Sequence, residues 1–154
     1  MDALNEISLP HMKRLVAMAQ RITAQHDISR LCETVLEEAR VLTHADGGTL
    51  YMVEGHGTHQ KLEFAIVRNR SLALSLGGSS GRSINYPSVP MYLSGEQNHS
   101  NVATHAGHTG EVVNIHDVYT EAGFDFSGTR AFDEKFGYRT RSALTVPLLT
   151  DFGE

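Results

Sequence analysis

Charged and aromatic side chains crowd together in residues 132–148, FDEKFGYRTRSALTVPL, directly before an apolar run that is typical of a buried strand. Side chains alternate along a strand, so Arg139, Arg141 and Thr145 fall on the face opposite Leu144. A guanidinium binds a phosphate or carboxylate through paired hydrogen bonds. We therefore expect the two arginines at the mouth of a binding cavity, with the small Thr145 facing the cavity and the leucine face packed on helices.

A structural role for the same two arginines is the alternative. Acidic residues lie close by in the sequence, at Asp125, Asp133 and Glu134. Ion pairs between these acids and the arginines would fasten the preceding helix to the strand. The sequence leaves both interpretations open.

Two phenylalanines and an acid come just before this stretch, in the segment DVYTEAGFDFSG. The rings of Phe124 and Phe126 suit stacking on a flat heterocycle, and Asp117 lies nearby as a polar partner. A small satellite core beneath the loop is the alternative for the two rings. Both interpretations place these residues in one structural neighbourhood.

Nine histidines in the chain invite a metal hypothesis, because four of them lie close together in the sequence: His99, His105, His108 and His116. His105 and His108 are spaced to share a helix face. However, Gly107 interrupts the helical pattern between them, and no carboxylate completes a familiar ligand spacing. We predict no metal or haem site, and we expect His105 to face the ligand cavity.

Enzymatic chemistry finds little support in the residue types. Cys32 is the single cysteine and lies on the apolar stripe of a predicted helix, where a thiol serves as a small core residue. The segment GGSSGR lacks the spacing of a nucleophilic serine turn and the lysine of a phosphate-binding loop. We therefore predict no catalytic residues and no enzyme.

Length and charge limit the partners. A chain of 154 residues suits a single domain, and its net charge of -5 without a basic run argues against nucleic acid and membrane partners. A lone cysteine forms no internal disulfide, and neither a leader nor a long apolar span is evident. These features predict a cytoplasmic protein.

Hydrophobic spacing predicts an α+β fold with an antiparallel sheet. A helix over 8–25 begins at Ser8, and a second helix runs from the Asp27 cap to Leu42. The remaining predicted elements are a hairpin of 49–53 with 61–67, a long lid-like loop over 69–98, a helix from an Asn98 or Ser100 cap to Ala106, a strand over 112–115, a helix over 129–136 and a strand over 142–149.

Three segments make the chain resemble the GAF family of small-molecule-sensing domains: ADGGTLYMVEG, HTGEVVNIHDVY and FDFSGTRAFDEKFGYRTRSALTVPLLTDFGE. The resemblance covers residues 27–154. It implies an antiparallel sheet of about six strands, with the N-terminal helices on one face and a pocket under short helices and loops on the other. The segment NRSLALSLGGSSGR also resembles GAF domains that precede HD-GYP phosphohydrolase domains in bacterial signalling proteins.

The resemblance implies a non-catalytic sensory domain that binds a small molecule and controls an output domain of a larger protein. The alternative is a ligand-free scaffold. Residues 1–26 are then expected to form a homodimerisation helix, and the final strand and helix of the family are expected to be missing after Glu154. GAF domains that bind cyclic nucleotides often carry an Asn-Lys pair and a Phe-Asp-Glu motif, and here residues 132–134 supply only the second. The ligand therefore stays unnamed.

Overall fold

The computed structural model describes residues 9–23 and 27–149. The predicted Ser8 cap and the turn after residue 149 lie outside the described residues. The chain divides into two compact units. The first unit contains residues 1–52 and 64–86, and the second contains residues 53–63 and 87–154.

Two helices begin the first unit: α1 (Leu9–Thr23) and α2 (Ile28–Thr43). The carboxylate of Asp27 caps α2 by accepting a hydrogen bond of 2.9 Å from the backbone nitrogen of Ser29, as the sequence predicts. α2 ends where His44 adopts a left-handed conformation with φ of 54°. The local signals in the sequence therefore suffice to bound this helix.

Burial along α2 differs from the expected apolar stripe. Ile28 is 72% exposed, whereas the buried side chains of the helix belong to Glu38 and Arg40. Their charges are paired, because Glu38 accepts from Arg21 on α1 and Arg40 donates to neighbouring acceptors. Cys32 is half-buried, and burial raises the pKa of its thiol, as expected of a packing residue.

Strands β1 (Gly47–Glu54) and β2 (Lys61–Asn69) are hydrogen-bonded neighbours, as the predicted hairpin requires. The predicted loop over 69–98 contains further strands. β3 (Leu74–Gly77) pairs antiparallel with β2, with Ile66 opposite Gly77, and β4 (Val89–Pro90) pairs with the start of β2. Within the described residues β4 pairs with β2 alone, so it lies at an edge of the sheet. Proline is tolerated at such an edge, as at Pro90.

A short two-stranded sheet follows in the second unit, formed by β5 (Tyr92–Leu93) and β6 (Glu96–Gln97). Helix α3 (Val102–Thr109) begins at Asn101, whose side chain accepts from the backbone nitrogens of Ala103 and Thr104. The predicted caps were wrong by one to three positions. Asn98 is instead bound to Ser100 and to the carbonyl of Pro90, so its side chain is already used.

The second unit is completed by β7 (Val113–Ile115), α4 (Ser127–Phe136) and β8 (Ala143–Thr145). β7 and β8 pair antiparallel, with Ile115 opposite Ala143. The α+β class and the antiparallel pairing are confirmed. In residues 9–23 and 27–149 the strands form three sheets, however, and not one sheet of about six strands.

The leucine face of the last predicted strand is exposed, contrary to the expectation that it packs on helices. Leu144 is 53% exposed, Val146 is 51% exposed and Leu148 is 66% exposed, so this face does not pack on helices as expected. Ala143, on the opposite face, packs against the core of the second unit. Among the described residues, no helix is long and apolar enough to cross a membrane.

Candidate functional site

A small apolar core positions the candidate site in the second unit. Its buried side chains are Ile115, Val118 and Phe126. Residues from α3, β7, the following turn and β8 pack around them: Val102, Val113, Tyr119, Phe124 and Ala143. Because the core draws on all these elements, it brings together side chains that lie far apart in the sequence.

The guanidinium of Arg139 is bound on two sides. Its Nη2 donates to both carboxylate oxygens of Asp117, at 3.0 Å and 3.1 Å. Its carbon Cζ lies 3.7 Å from the centre of the Tyr119 ring, which is a cation–π contact. The hydrogen bond from the Tyr119 backbone nitrogen, followed by that from Arg139, holds the pKa of Asp117 below its ordinary value.

Arg141 is held differently from Arg139. Its carbonyl oxygen accepts from the backbone nitrogen of Val118 at 2.8 Å, while its side chain is exposed. That side chain forms no ion pair with residues 9–23 or 27–149. Arg141 is therefore a cation available to an anionic ligand, and its charge contributes weakly to the lowered pKa of Asp117.

The ion pair of Arg139 involves a different acid from those considered in the sequence analysis. Arg139 pairs with Asp117, and not with Asp125, Asp133 or Glu134. Asp117 lies 22 residues before its partner, so sequence proximity does not reveal the pair. The position expected for a ligand anion at Arg139 is therefore already occupied by a protein carboxylate.

Asp133 organises the site through hydrogen bonds, whereas the sequence suggested only an ion pair with an arginine. Its side chain is 1% exposed. It accepts hydrogen bonds from the hydroxyl of Tyr119 at 3.0 Å and from the backbone nitrogen and hydroxyl of Thr140, both at 2.8 Å. Asp133 lies in the last turn of α4, four residues before Gly137, which caps the helix. This carboxylate ties α4 to the segment that carries both arginines.

Six rings form a continuous series, called here the ring row. Neighbouring rings have centres 5.1 to 6.4 Å apart. In order, the ring row consists of Tyr92, His108, His99, His105, Phe124 and Phe126. The series therefore runs from β5 across α3 to the core, and it includes three of the predicted site residues.

His105 and Phe124 are both half-buried within the ring row. The Nδ1 atoms of His99 and His105 are 3.1 Å apart, so one nitrogen carries the proton that the other accepts. Nε2 of His108 contacts the carbonyl oxygen of Met91 at 2.7 Å. In the described ranges, no group of three or more histidine, cysteine, aspartate or glutamate side chains could hold a metal ion.

Phe126 and Thr145, which were expected to face a ligand cavity, lie elsewhere or only partly exposed. Phe126 is 6% exposed and belongs to the core, so its ring matches the satellite-core alternative. Thr145 is half-buried in β8 opposite Val113. Arg139 and Arg141 precede β8, so strand alternation does not set their direction relative to Thr145.

Phe124 and Tyr119 pack on one core, with His105 against Phe124, and with Arg139 and its partner Asp117 at Tyr119. Such groups suit non-covalent binding of a flat compound that carries a negative charge, because arginine binds the anion and the rings contact the apolar face. The predicted residues Asp117, Phe124, Phe126 and Arg139 all belong to this core or to its contacts. The ring centre of His105 lies 5.2 Å from that of Phe124, so His105 contacts this group through Phe124.

Solved structures with a similar fold include two GAF domains of phosphoenolpyruvate-protein phosphotransferases. The one from Acinetobacter has a TM-score of 0.60 at 12% identity and is matched over 94% of this chain and 72% of its own. The one from Coxiella burnetii has a TM-score of 0.61 at 12% identity and is matched over 92% and 71%. This likeness supports the fold.

Among curated proteins, cGMP-specific 3',5'-cyclic phosphodiesterases from Drosophila sechellia and Drosophila melanogaster are each 27% identical over 131 residues. The match covers 83% of this chain and 10% of each relative. The chain thus spans about a tenth of the length of these relatives. A family model described as the GAF domain matches residues 27–154. The chain therefore belongs to the GAF domain family, as its sequence motifs indicate.

Proposed function

We propose that this GAF domain is a non-catalytic sensory domain that binds a small molecule in its second unit and controls an output domain of a larger bacterial signalling protein. One observation carries the proposal: predicted site residues from three separate stretches meet around the core of Ile115, Val118 and Phe126. Phe124 packs on this core beside His105, and Tyr119 packs on it beneath Arg139.

The proposed ligand is a flat heterocycle with an anionic group. Its anion would bind the exposed Arg141, and its ring would lie against Phe124 and His105. A ligand anion could also replace Asp117 on Arg139, since a phosphate offers the same paired acceptors as a carboxylate. Phe126 would then support Phe124 from the core, and Thr145 would support the site from β8.

A cyclic nucleotide is the first compound to test, because the relatives that the chain matches are named as cGMP-specific phosphodiesterases. The Phe-Asp-Glu motif gives less support, since Asp133 is buried and holds Tyr119 and Thr140. The chemistry of the site equally fits another anionic heterocycle. The proposal therefore concerns the class of ligand.

Ligand binding would act on the output domain by population shift: the ligand stabilises one arrangement of the loops and helices, and the helices pass this bias onward. The relatives are about ten times longer than the matched region, which is compatible with a domain that serves a larger protein. Exposed side chains on α1, Met12, Leu15 and Val16, suit a homodimer contact. We further propose that the protein works in the cytoplasm.

A ligand-free scaffold for dimerisation is the second candidate. It is favoured because two of the expected ligand-binding residues already contact other parts of the protein. Arg139 is already paired with Asp117, and Phe126 is already buried. A scaffold would use these contacts for stability alone and would bind no small molecule.

Thermal unfolding tests the proposal, with cGMP, cAMP, cyclic dinucleotides, haem and divalent metal ions added separately to the full chain. A ligand at about 100 times its Kd adds roughly 2.7 kcal/mol, which raises the Tm by several degrees. We expect a rise with an anionic heterocycle that is lost in Arg141→Ala and kept in the control Arg82→Ala. No rise with any compound would support the scaffold.

A further inference from the structure

A polar cleft of about 200 Å³ lies within the first unit, where the last turns of α2 meet the turn between β2 and β3. Its walls come from the helix and from the strand ends. The lining residues are Glu37, Arg40, Arg68, Asn69, Arg70 and Leu74. None of the residues that form the candidate site of the second unit takes part in this lining.

Three arginines and one glutamate line the cleft, and two of these arginines are paired with glutamates. Glu37 accepts a hydrogen bond of 2.7 Å from Nη1 of Arg40. Arg68 is paired outside the lining, where its Nη2 donates to Glu33 at 2.8 Å. Arg70 is exposed and forms no ion pair with the residues that the structure describes. Its guanidinium is therefore the cation available to an incoming anion.

One buried side chain in the cleft has a donor without a partner. Arg40 is 7% exposed, and its Nε is buried and has no hydrogen-bond partner within residues 9–23 and 27–149. Asn69 is 8% exposed, and its Oδ1 accepts from the backbone nitrogen of Leu72 at 2.9 Å. Its Nδ2 donates to none of the described residues and is open to solvent. A buried donor without an acceptor is costly, so Nε of Arg40 favours an acceptor that enters the cleft.

Local backbone geometry maintains the position of Arg40. A Cβ atom built on Gly48 would lie 2.9 Å from Cδ of Arg40 and 2.9 Å from Cδ1 of Leu36. Glycine at position 48 thus leaves the room that the Arg40 side chain occupies. Nη2 of Arg40 donates to the carbonyl oxygen of Asp46 at 2.8 Å, which fixes the guanidinium at the cleft.

We propose that this cleft binds a phosphate group, either as inorganic phosphate or as a small phosphate monoester. Arg70 offers paired donors and the unpaired positive charge, Asn69 offers an amide donor, and Nε of Arg40 is a donor without a partner. Pockets for drug-sized ligands occupy roughly 300–1,000 Å³, so a cleft of about 200 Å³ suits a compact oxyanion. Glu37 does not oppose the anion strongly, because Arg40 neutralises it.

NMR spectroscopy of the full chain tests this proposal through the side-chain amide of Asn69. Potassium phosphate at pH 7 is the probe, and potassium chloride at matched ionic strength is the control. We expect phosphate to shift the Asn69 amide resonance saturably. Arg70→Gln should weaken this binding by about tenfold or more, while Arg82→Gln, which replaces an exposed arginine outside the lining, should leave it unchanged.

Three results would overturn the proposal. Equal shifts with phosphate and chloride would mean that no phosphate site exists. An unchanged phosphate affinity in Arg70→Gln would remove the proposed cation from the site. Stronger binding of acetate than of phosphate would identify the cleft as a site for a carboxylate, such as an acidic side chain of another protein.

Discussion

Arg139 joins the carboxylate of Asp117 to the ring of Tyr119. Its Nη2 lies 3.0 Å and 3.1 Å from the two oxygens of Asp117, and its Cζ lies 3.7 Å from the ring centre. The hydroxyl of the same tyrosine donates to the buried carboxylate of Asp133. One aromatic ring therefore connects the charged surface of the site to a buried polar anchor.

The Asp117–Arg139 pair predicts a dependence of stability on pH. The pKa of Asp117 is lowered in the folded protein, first by the Tyr119 backbone nitrogen and then by Arg139. A lowered folded pKa gives stability above the ordinary value of 3.8, and this stability is lost as the pH falls through the folded pKa. Asp117→Asn should therefore unfold at lower urea concentration than wild type at pH 7.

Urea denaturation at a series of pH values checks this prediction. The difference between wild type and Asp117→Asn should shrink as the pH falls below about 4, where the unfolded chain gains the proton first and the folded carboxylate gains it at lower pH. It should also shrink at high salt, because Arg139 is partly exposed. A difference that stays constant from pH 7 to pH 3 would show that the pair contributes no charge-dependent stability.

Asp133→Ala should destabilise the fold strongly. The substitution leaves the Tyr119 hydroxyl and two donors of Thr140 without their acceptor in a buried place. We expect a loss of roughly 3 kcal/mol or more, measured as the free energy of unfolding in urea. Glu134→Ala is the matched control, since this neighbouring acid is exposed and should change stability by less than about 0.5 kcal/mol. Equal effects of the two substitutions would contradict the role of Asp133.

Phe126→Ala should also act through stability. Phe126 is 6% exposed and fills the core with Ile115 and Val118. Its removal leaves a cavity, so the free energy of unfolding should fall by about 3–5 kcal/mol. Phe124→Ala should cost less, because that ring is half-buried. Calorimetric melting of both variants distinguishes the positions. A larger loss in Phe124→Ala would reverse the assignment of core and surface rings.

Gly77→Ala should destabilise the β2–β3 pair far more than Gly81→Ala. Both glycines have positive φ, of 66° and 69°. A Cβ at Gly77 would overlap with the carbonyl oxygen of Ala65, whereas a Cβ at Gly81 meets nothing within 4 Å. We expect about 1–2 kcal/mol of strain for Gly81→Ala and at least about 3 kcal/mol for Gly77→Ala. Similar unfolding free energies for the two variants would contradict this geometry.

Local signals account for what could be predicted from the sequence. The cap at Asp27, the hydrophobic spacing of α2 and the hairpin partners of β1 and β2 each depend on residues within a few positions of one another. Likewise, the GAF motifs predict the family and the α+β class. Such features carry their physical cause within a short segment, so a single sequence suffices to find them.

Pairings between distant segments could not be predicted in the same way. The acceptor of Arg139 lies 22 residues away, and three acids closer in sequence compete as candidates. Asn98, Ser100 and Asn101 are all suitable caps, and the choice depends on a bond between Asn98 and the distant Pro90. The burial of charged residues on α2 likewise depends on partners outside the helix.

NMR of the histidine rings during titration tests the central claim most directly, which is that the second unit binds a small anionic heterocycle beside His105. With cGMP, cAMP or a cyclic dinucleotide as probe, we predict a saturable shift of the His105 resonance. The resonance of the exposed His59 should stay constant, and Arg141→Ala should abolish the shift at His105. A His105 resonance that no probe in this set moves would contradict the account and favour the scaffold.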